Sequence, residues 1–193
     1  MVIAVFGAGA IGCWVGGKLA ASGANLTLIG RARILDQLTD GLAISDFEGG
    51  AARSTPQLAT TPSAAAHASL VLVTVKSAQT AEAAAALADV LDPSAVVVSL
   101  QIGVRNADVL RAAAASSGAR GDGAVQRHEA RRDVSSCVGR DPARRRDPAN
   151  AELLAACARA SLMIEARRDM LAVQWAKLVI NLNNAIAQLQ AAL

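Results

Sequence analysis

Chemistry in this chain begins at Gly7-Ala8-Gly9-Ala10-Ile11-Gly12. Three glycines at this spacing, between a short apolar run and a segment of small residues, read as a turn that holds a dinucleotide pyrophosphate. Gly7 permits a tight bend, Gly9 lets the main chain approach the phosphates, and Gly12 lets the following helix lie close to the strand. The helix N-terminus offers N–H groups and a partial positive charge to an anion. A plain strand-turn-helix connection would carry the same glycines without a ligand. The placement directly after a strand and at the start of a helix favours the nucleotide.

Other residues carry weaker signals. Arg31 and Arg33 follow a second apolar run, where an acidic residue would hold the ribose 2′-hydroxyl of NAD and an arginine suits the 2′-phosphate of NADP. Arg31 is the better placed, and the alternative is a pair of solvated arginines opening a helix. Lys76 ends the run SLVLVTV, so its ammonium stands either at a ligand crevice or at a solvated strand terminus. Spacing alone leaves that choice open. Lys177 and Asn181 are four apart, neighbours on one helical face. On spacing alone they read as a polar edge beside an apolar stripe. His67 has no partner in its sequence neighbourhood and reads as a surface residue.

The elements that must hold these residues follow a regular series. Val2–Phe6 is apolar without alternation, the pattern of a strand buried on both faces. A helix to Ala21, a strand over Asn25–Ile29, a strand over Ser69–Val75, an alanine helix over Ala78–Leu91, a strand over Ala95–Leu100 and a helix to Ala115 come after it. Gly41 to Thr61, broken by Asp46, Gly49, Gly50 and Pro56, reads as a hairpin or loop excursion. Strand alternating with helix predicts an α/β fold with a doubly wound parallel sheet. Asp147-Pro148 starts a helix through Ala160 with Pro at its first position. A short strand over Ser161–Glu165 is expected next, then a helix over Asp169–Leu193. The apolar stripe of that last helix runs through Leu171, Trp175, Leu178, Val179, Leu182, Ile186 and Leu189.

Composition excludes several classes. With 193 residues the chain suits one domain or a domain and part of another. Tyr is absent and Phe and Trp number two each, so stacking on nucleic-acid bases has little support. The net charge of +3 reflects arginines concentrated between Arg120 and Arg146, so a nucleic-acid partner is not expected. Cys13, Cys137 and Cys157 match neither a disulfide framework nor a zinc spacing, which fits a reducing cytoplasm and no metal. No stretch has the length and apolarity of a membrane span, and the apolar N-terminus lacks the basic region of a signal peptide. Gly121–Asp147 contains no Leu, Ile, Phe, Met or Trp and many arginines. It is expected to be a disordered basic loop that builds no core strand.

Taken together, GAGAIGCWVGGKLA, LIGRAR, LVTVKSAQT, SLQIGVRN and WAKLVINLNNAI resemble the ketopantoate reductase (2-dehydropantoate 2-reductase) family in order and spacing. The resemblance spans nearly the whole chain outside Gly121–Arg146. It implies an NADP-binding Rossmann-type domain over residues 1–167 and, over 168–193, the first helix of a truncated C-terminal helical domain. It implies reduction of a small 2-oxo acid, ketopantoate, to pantoate with NADPH, a step toward coenzyme A. Lys177 would be the general acid and oxyanion stabiliser, and Asn181 would hydrogen-bond substrate hydroxyls. Lys76 would border nicotinamide and substrate. Arg31 would hold the 2′-phosphate, and Gln101 would belong to the cofactor site.

Three departures stand against the family pattern. Gln101-Ile102-Gly103 replaces Gln-Asn-Gly, and Ile102 has no polar side chain to offer. Family members continue for roughly another hundred residues, the size of a separate domain, which carries a glutamate and a serine of the substrate site. An exposed helix over 170–193 would then invite homodimerisation or aggregation, and a catalytically impaired relic that at most binds NADP(H) is the competing reading, with a reductase of another small 2-oxo acid as a third. Finally, Gly121–Arg146 lacks the family's strand and turn. Back-translated with permissible codons and read one nucleotide later, GDGAVQRHEARRDVSSCVGRD gives AMVQFNVMKRDGTFHRASGE, which holds close versions of those pieces. The expectation is a segment translated out of frame, with the frame restored just before Asp147. Since the codons are chosen, the coding DNA decides it.

Overall fold

Val2–Phe6 forms β1 near the centre of a seven-stranded sheet. The structure, a computed structural model, describes residues 1–45, 50–116, 126–130, 133–137, 148–162 and 172–181, with only the main chain described between 126 and 150. After β1 come α1 (Ala10–Ala21), β2 (Asn25–Ile29), α2 (Ala32–Leu35), β3 (Leu42–Ser45), β4 (Ala51–Ser54) and β5 (Gln57–Ala59). They are followed by β6 (Leu70–Val73), α3 (Thr80–Ala88), β7 (Val96–Ser99), α4 (Asn106–Ser116), β8 (Gln126–Ala130), β9 (Asp133–Cys137) and α5 (Pro148–Arg159). A further helix, α6, covers 172–181.

The sheet order is β5-β2-β1-β6-β7-β8-β9. The strands from β5 through β8 run parallel, and β9 pairs antiparallel with β8. Both faces are covered, which explains apolar strands without alternation. Ile3 and Val5 of β1, Leu26 and Leu28 of β2, and Leu70 and Leu72 of β6 face one layer, with Val15 and Leu19 of α1 and Leu153, Ala156 and Cys157 of α5. Ala4, Ile29, Val71 and Val73 face the other, with Ala84 and Leu87 of α3 and Leu110 of α4. This is a Rossmann-like doubly wound sheet, as the sequence predicts. The winding leaves β1 toward β2 on one side and reaches β6 and β7 on the other, so a topological switch point lies between β1 and β6.

The excursion expected between Gly41 and Thr61 resolves into two parts. β3 and β4 form a separate antiparallel pair, and Leu42 and Ile44 reach α1 at Gly17. β5 instead extends the main sheet beside β2. Two expectations need correction. The sequence predicts a disordered loop with no core strand across Gly121–Asp147, yet the main chain of 126–130 and 133–137 pairs as β8 and β9 at the sheet's edge, joined to β7 at Ser99 and Gln126. A hairpin at a sheet's edge is held by main-chain pairing, which does not require an apolar face on the strands. Ser161 and Leu162, expected to begin a strand, instead close α5 through Ser161 N to Ala158 O and Leu162 N to Cys157 O. The rest of that predicted strand lies outside the described residues, as do the parts of the predicted 169–193 helix beyond α6. No helix among the described residues is long and apolar enough to cross a membrane.

Candidate functional site: the carboxyl edge of the sheet

Parallel pairing puts the residues that follow β1, β2, β6 and β7 at one edge of the sheet. Gly7 follows β1, Arg31 follows β2, Thr74 and Lys76 follow β6, and Gln101 follows β7. This is the edge where ligands bind in open α/β sheets.

Gly7 leaves β1 at φ +123°, in the region that favours glycine. Its N–H donates to Ile29 O at 2.9 Å. A Cβ at Gly7 would stand 2.8 Å from Val75 N, so the bend passes directly under the end of β6. Gly12 stands at a second close approach, where the start of α1 meets the ends of β1 and β6. A Cβ there would run into the Gly7 carbonyl and stand 2.7 Å from Thr74 Oγ1. The close contact of the helix start is therefore with the turn and with Thr74. At Gly9 an added Cβ would meet nothing within 4 Å. The turn thus packs tightly against protein at Gly7 and Gly12 and opens outward at Gly9, where a pyrophosphate would approach.

Gly9 is also the N-cap of α1 and contributes no side-chain hydrogen bond, and no acidic residue stands in the first turn. An anion meets main-chain N–H groups there without a competing carboxylate. Ala8 is buried, Ala10 is exposed and Ile11 is half-buried, so the turn's apolar side chains leave its backbone as the polar surface. These features fit a dinucleotide. Arg31 and Arg33 are exposed beyond β2, and Arg31 O accepts from Ile34 N at 2.9 Å as α2 begins.

Two residues not singled out by the sequence, Thr74 and Asn106, complete the edge beside the expected Gln101. Thr74 N donates to Phe6 O at 2.9 Å, and Thr74 Oγ1 donates to Gly7 O at 2.7 Å, with Phe6 O as a second acceptor at 3.2 Å. Gln101 is buried, and its side chain is turned into the protein: Nε2 donates to Val75 O at 2.9 Å and to Thr80 Oγ1 at 2.7 Å, while Oε1 accepts from Ser99 Oγ at 3.0 Å. Asn106 joins the same cluster. Only a run of polar residues flanking the alanine helices hints at this in the sequence. Ile102 is 47% exposed on the same connection.

Lys177 and Asn181 stand on α6, one turn apart and both half-buried. They come from a part of the chain remote from the glycine turn. His67 is exposed, as predicted. No group of three His, Cys, Asp or Glu residues able to hold a metal ion occurs among the described residues.

The family model for ketopantoate reductase PanE/ApbA matches residues 3–149. The chain belongs to the ketopantoate reductase family. It is 42% identical over 114 residues to the 2-dehydropantoate 2-reductase of Halobacterium salinarum, covering 57% of this chain and 37% of that one. It is 32% identical over 188 residues to the 2-dehydropantoate 2-reductase of Pyrococcus horikoshii, covering 94% of this chain and 61% of that one. The crystal structure of a PanE/ApbA family ketopantoate reductase from Ralstonia eutropha superposes with a TM-score of 0.74 at 31% identity, covering 94% of this chain and 61% of that one. The chain therefore spans at most about three fifths of the length of these relatives. Ketopantoate reductases are oxidoreductases that use a nicotinamide cofactor.

Proposed function

We propose that the chain carries the NADPH site of an oxidoreductase that reduces 2-dehydropantoate to pantoate in coenzyme A biosynthesis, in the cytoplasm. The observation that carries this reading is the glycine turn, open at Gly9 and closed by Thr74 at the switch point, in a chain of this family. The main chain of Gly7 to Gly12 would hold the pyrophosphate, with Gln101 bordering the site. Arg31 would face the 2′-phosphate, since a guanidinium matches phosphate geometry. Lys76 would border nicotinamide and substrate.

NADPH, when bound, supplies the hydride. The chain's own contribution at the reacting carbonyl would be Lys177, whose ammonium stabilises the developing oxyanion and gives it a proton. Asn181, one turn away, would hold substrate hydroxyls. The domain division would fall near residue 167, with α6 in the substrate-facing unit. The exposed Trp175, Val179 and Ile180 on α6 (52%, 62% and 52%) would offer a homodimer surface, which sedimentation measurements test by a mass that rises with concentration. An out-of-frame origin for 121–146 belongs to the same reading, and the coding DNA tests it: stops in the shifted frame would end the idea.

A second reading, a chain that binds NADP(H) without turnover, is favoured by Ile102. It places an exposed apolar side chain at the site where the resemblance calls for an asparagine. Titration of NADPH fluorescence tests the cofactor site, and saturable binding is expected. Oxidation of NADPH with ketopantoate, with Lys177→Ala as the comparison, tests turnover. Equal rates in variant and parent would remove Lys177 as the acid, and binding without oxidation would leave the second reading.

A further inference from the structure

Lys76 is exposed, but its neighbours Val75 and Ser77 are both held by the buried side chains of Gln101 and Asn106, which follow β7. On one side Gln101 Nε2 donates to Val75 O at 2.9 Å. On the other, Asn106 Nδ2 donates to Ser77 Oγ at 3.0 Å, and Ser77 Oγ donates to Ile102 O at 2.8 Å. Thr80 Oγ1 links the two halves. It accepts from Gln101 Nε2 at 2.7 Å and donates to Ser77 O at 2.9 Å, with Asn106 Oδ1 at 3.2 Å. Gln101, Asn106 and Thr80 are only 4%, 6% and 2% exposed. Lys76 O in turn accepts from Gln79 N at 2.8 Å.

Gly103 makes room for this arrangement. It sits at φ +147°, and a Cβ there would stand 2.7 Å from Asn106 Nδ2. Burying two amides is costly unless their hydrogen bonds are met. Here they are met largely by the backbone and hydroxyl groups of one short turn, Val75 to Thr80. Such a network fixes the start of a long, flexible side chain whose tip faces solvent. A lysine held this way has less freedom to lose when it engages a ligand, and contacts at a reacting centre tolerate little misplacement.

We propose that Gln101 and Asn106 are positioning residues that set the Lys76 ammonium against the bound cofactor. This rests on the reading of the carboxyl edge as an NADPH site. It assigns the buried amide of Gln101 to supporting Lys76 and leaves any contact with the dinucleotide to its main chain.

A double-mutant cycle on the full chain tests it, with NADPH fluorescence titration as the readout. Asn106→Ala is expected to weaken NADPH binding about fivefold in the parent and less than about twofold in a Lys76→Ala background, a coupling typical of residues in one network. Equal losses in both backgrounds overturn the positioning role, because a merely structural residue would act independently of Lys76. If Asn106→Ala does not fold, Thr80→Val and Thr80→Ser take its place, and only the valine variant should show the coupled loss. Saturable binding with additive losses overturns this inference alone. An absence of saturable binding in the folded parent overturns the cofactor reading and the inference with it.

Discussion

Thr74 Oγ1 donates a 2.7 Å hydrogen bond to the carbonyl oxygen of Gly7, joining the ends of β6 and β1 where the winding of the sheet reverses. The same hydroxyl lies 2.7 Å from the place a Cβ on Gly12 would occupy, so one side chain braces both ends of the glycine turn. Thr74→Val keeps the shape and removes the donor. The expected cost is about 1–2 kcal/mol of stability, from the lost bond and the part-buried carbonyl left behind, together with weaker NADPH binding. Thr74→Ser should retain the affinity. Denaturant unfolding and NADPH titration of both variants check this, and a valine variant equal to the parent in both would show that the brace is idle.

Arg31 stands exposed just beyond β2, at the edge shared with the glycine turn. If its guanidinium meets a 2′-phosphate, Arg31→Ala should weaken NADPH binding about tenfold, the scale of one charge-assisted hydrogen bond. NADH, which lacks that phosphate, should bind within about twofold of its affinity for the parent. Parallel titrations with the two cofactors measure the difference. Loss of both affinities to the same extent would mean that Arg31 does not read the phosphate.

The central fold is legible because burial on both faces forces a continuous apolar run, and Val2–Phe6 and Leu70–Val73 show one. The glycine turn is legible for a related reason: the backbone at Gly7 takes a conformation that restricts the residue type. β5 is less so, since Gln57–Ala59 is short and pairs on one side only. The β8–β9 hairpin leaves no apolar signature because main-chain pairing builds it. Thr74, Thr80 and Asn106 are hidden for another reason. Their roles exist only as pairs, Thr74 with Gly7 across 67 residues and Thr80 with Asn106 across 26, and no local spacing encodes such a contact.

Ile102 presents its side chain to solvent while Ser77 Oγ and Asn106 Nδ2 hold its carbonyl. The main chain is therefore set independently of the side chain, and Ile102→Asn should leave stability within about 0.5 kcal/mol of the parent. A polar side chain at this lip could hydrogen-bond a substrate that isoleucine can only touch, so kcat/KM for 2-dehydropantoate should rise about tenfold. NADPH oxidation assays and denaturant unfolding, run side by side, report the two quantities. A folded variant with no gain would place residue 102 outside the substrate site.

Cys157 is buried in the layer that joins α5 to the sheet, and burial pushes its thiol up to about 12 from an ordinary value of 9.0. Burial also raises the thiol of Cys13. Since the thiolate is the attacking species, iodoacetamide near neutral pH should modify Cys157 slowly in the folded chain and rapidly in denaturant, with mass spectrometry locating the label. The same shift ties stability to pH. An unfolded chain releases this proton near pH 9 while the folded chain keeps it, so the stability contributed by Cys157 is complete below pH 9 and falls between about 9 and 12. Tyr is absent from the sequence, which removes one source of competing titration in that window. Cys157→Ala should therefore show a shallower alkaline loss of stability than the parent, although it begins lower because a packed sulfur is gone. Superimposable slopes above pH 9 would mean that the thiol ionises as readily in the folded chain as in the unfolded one.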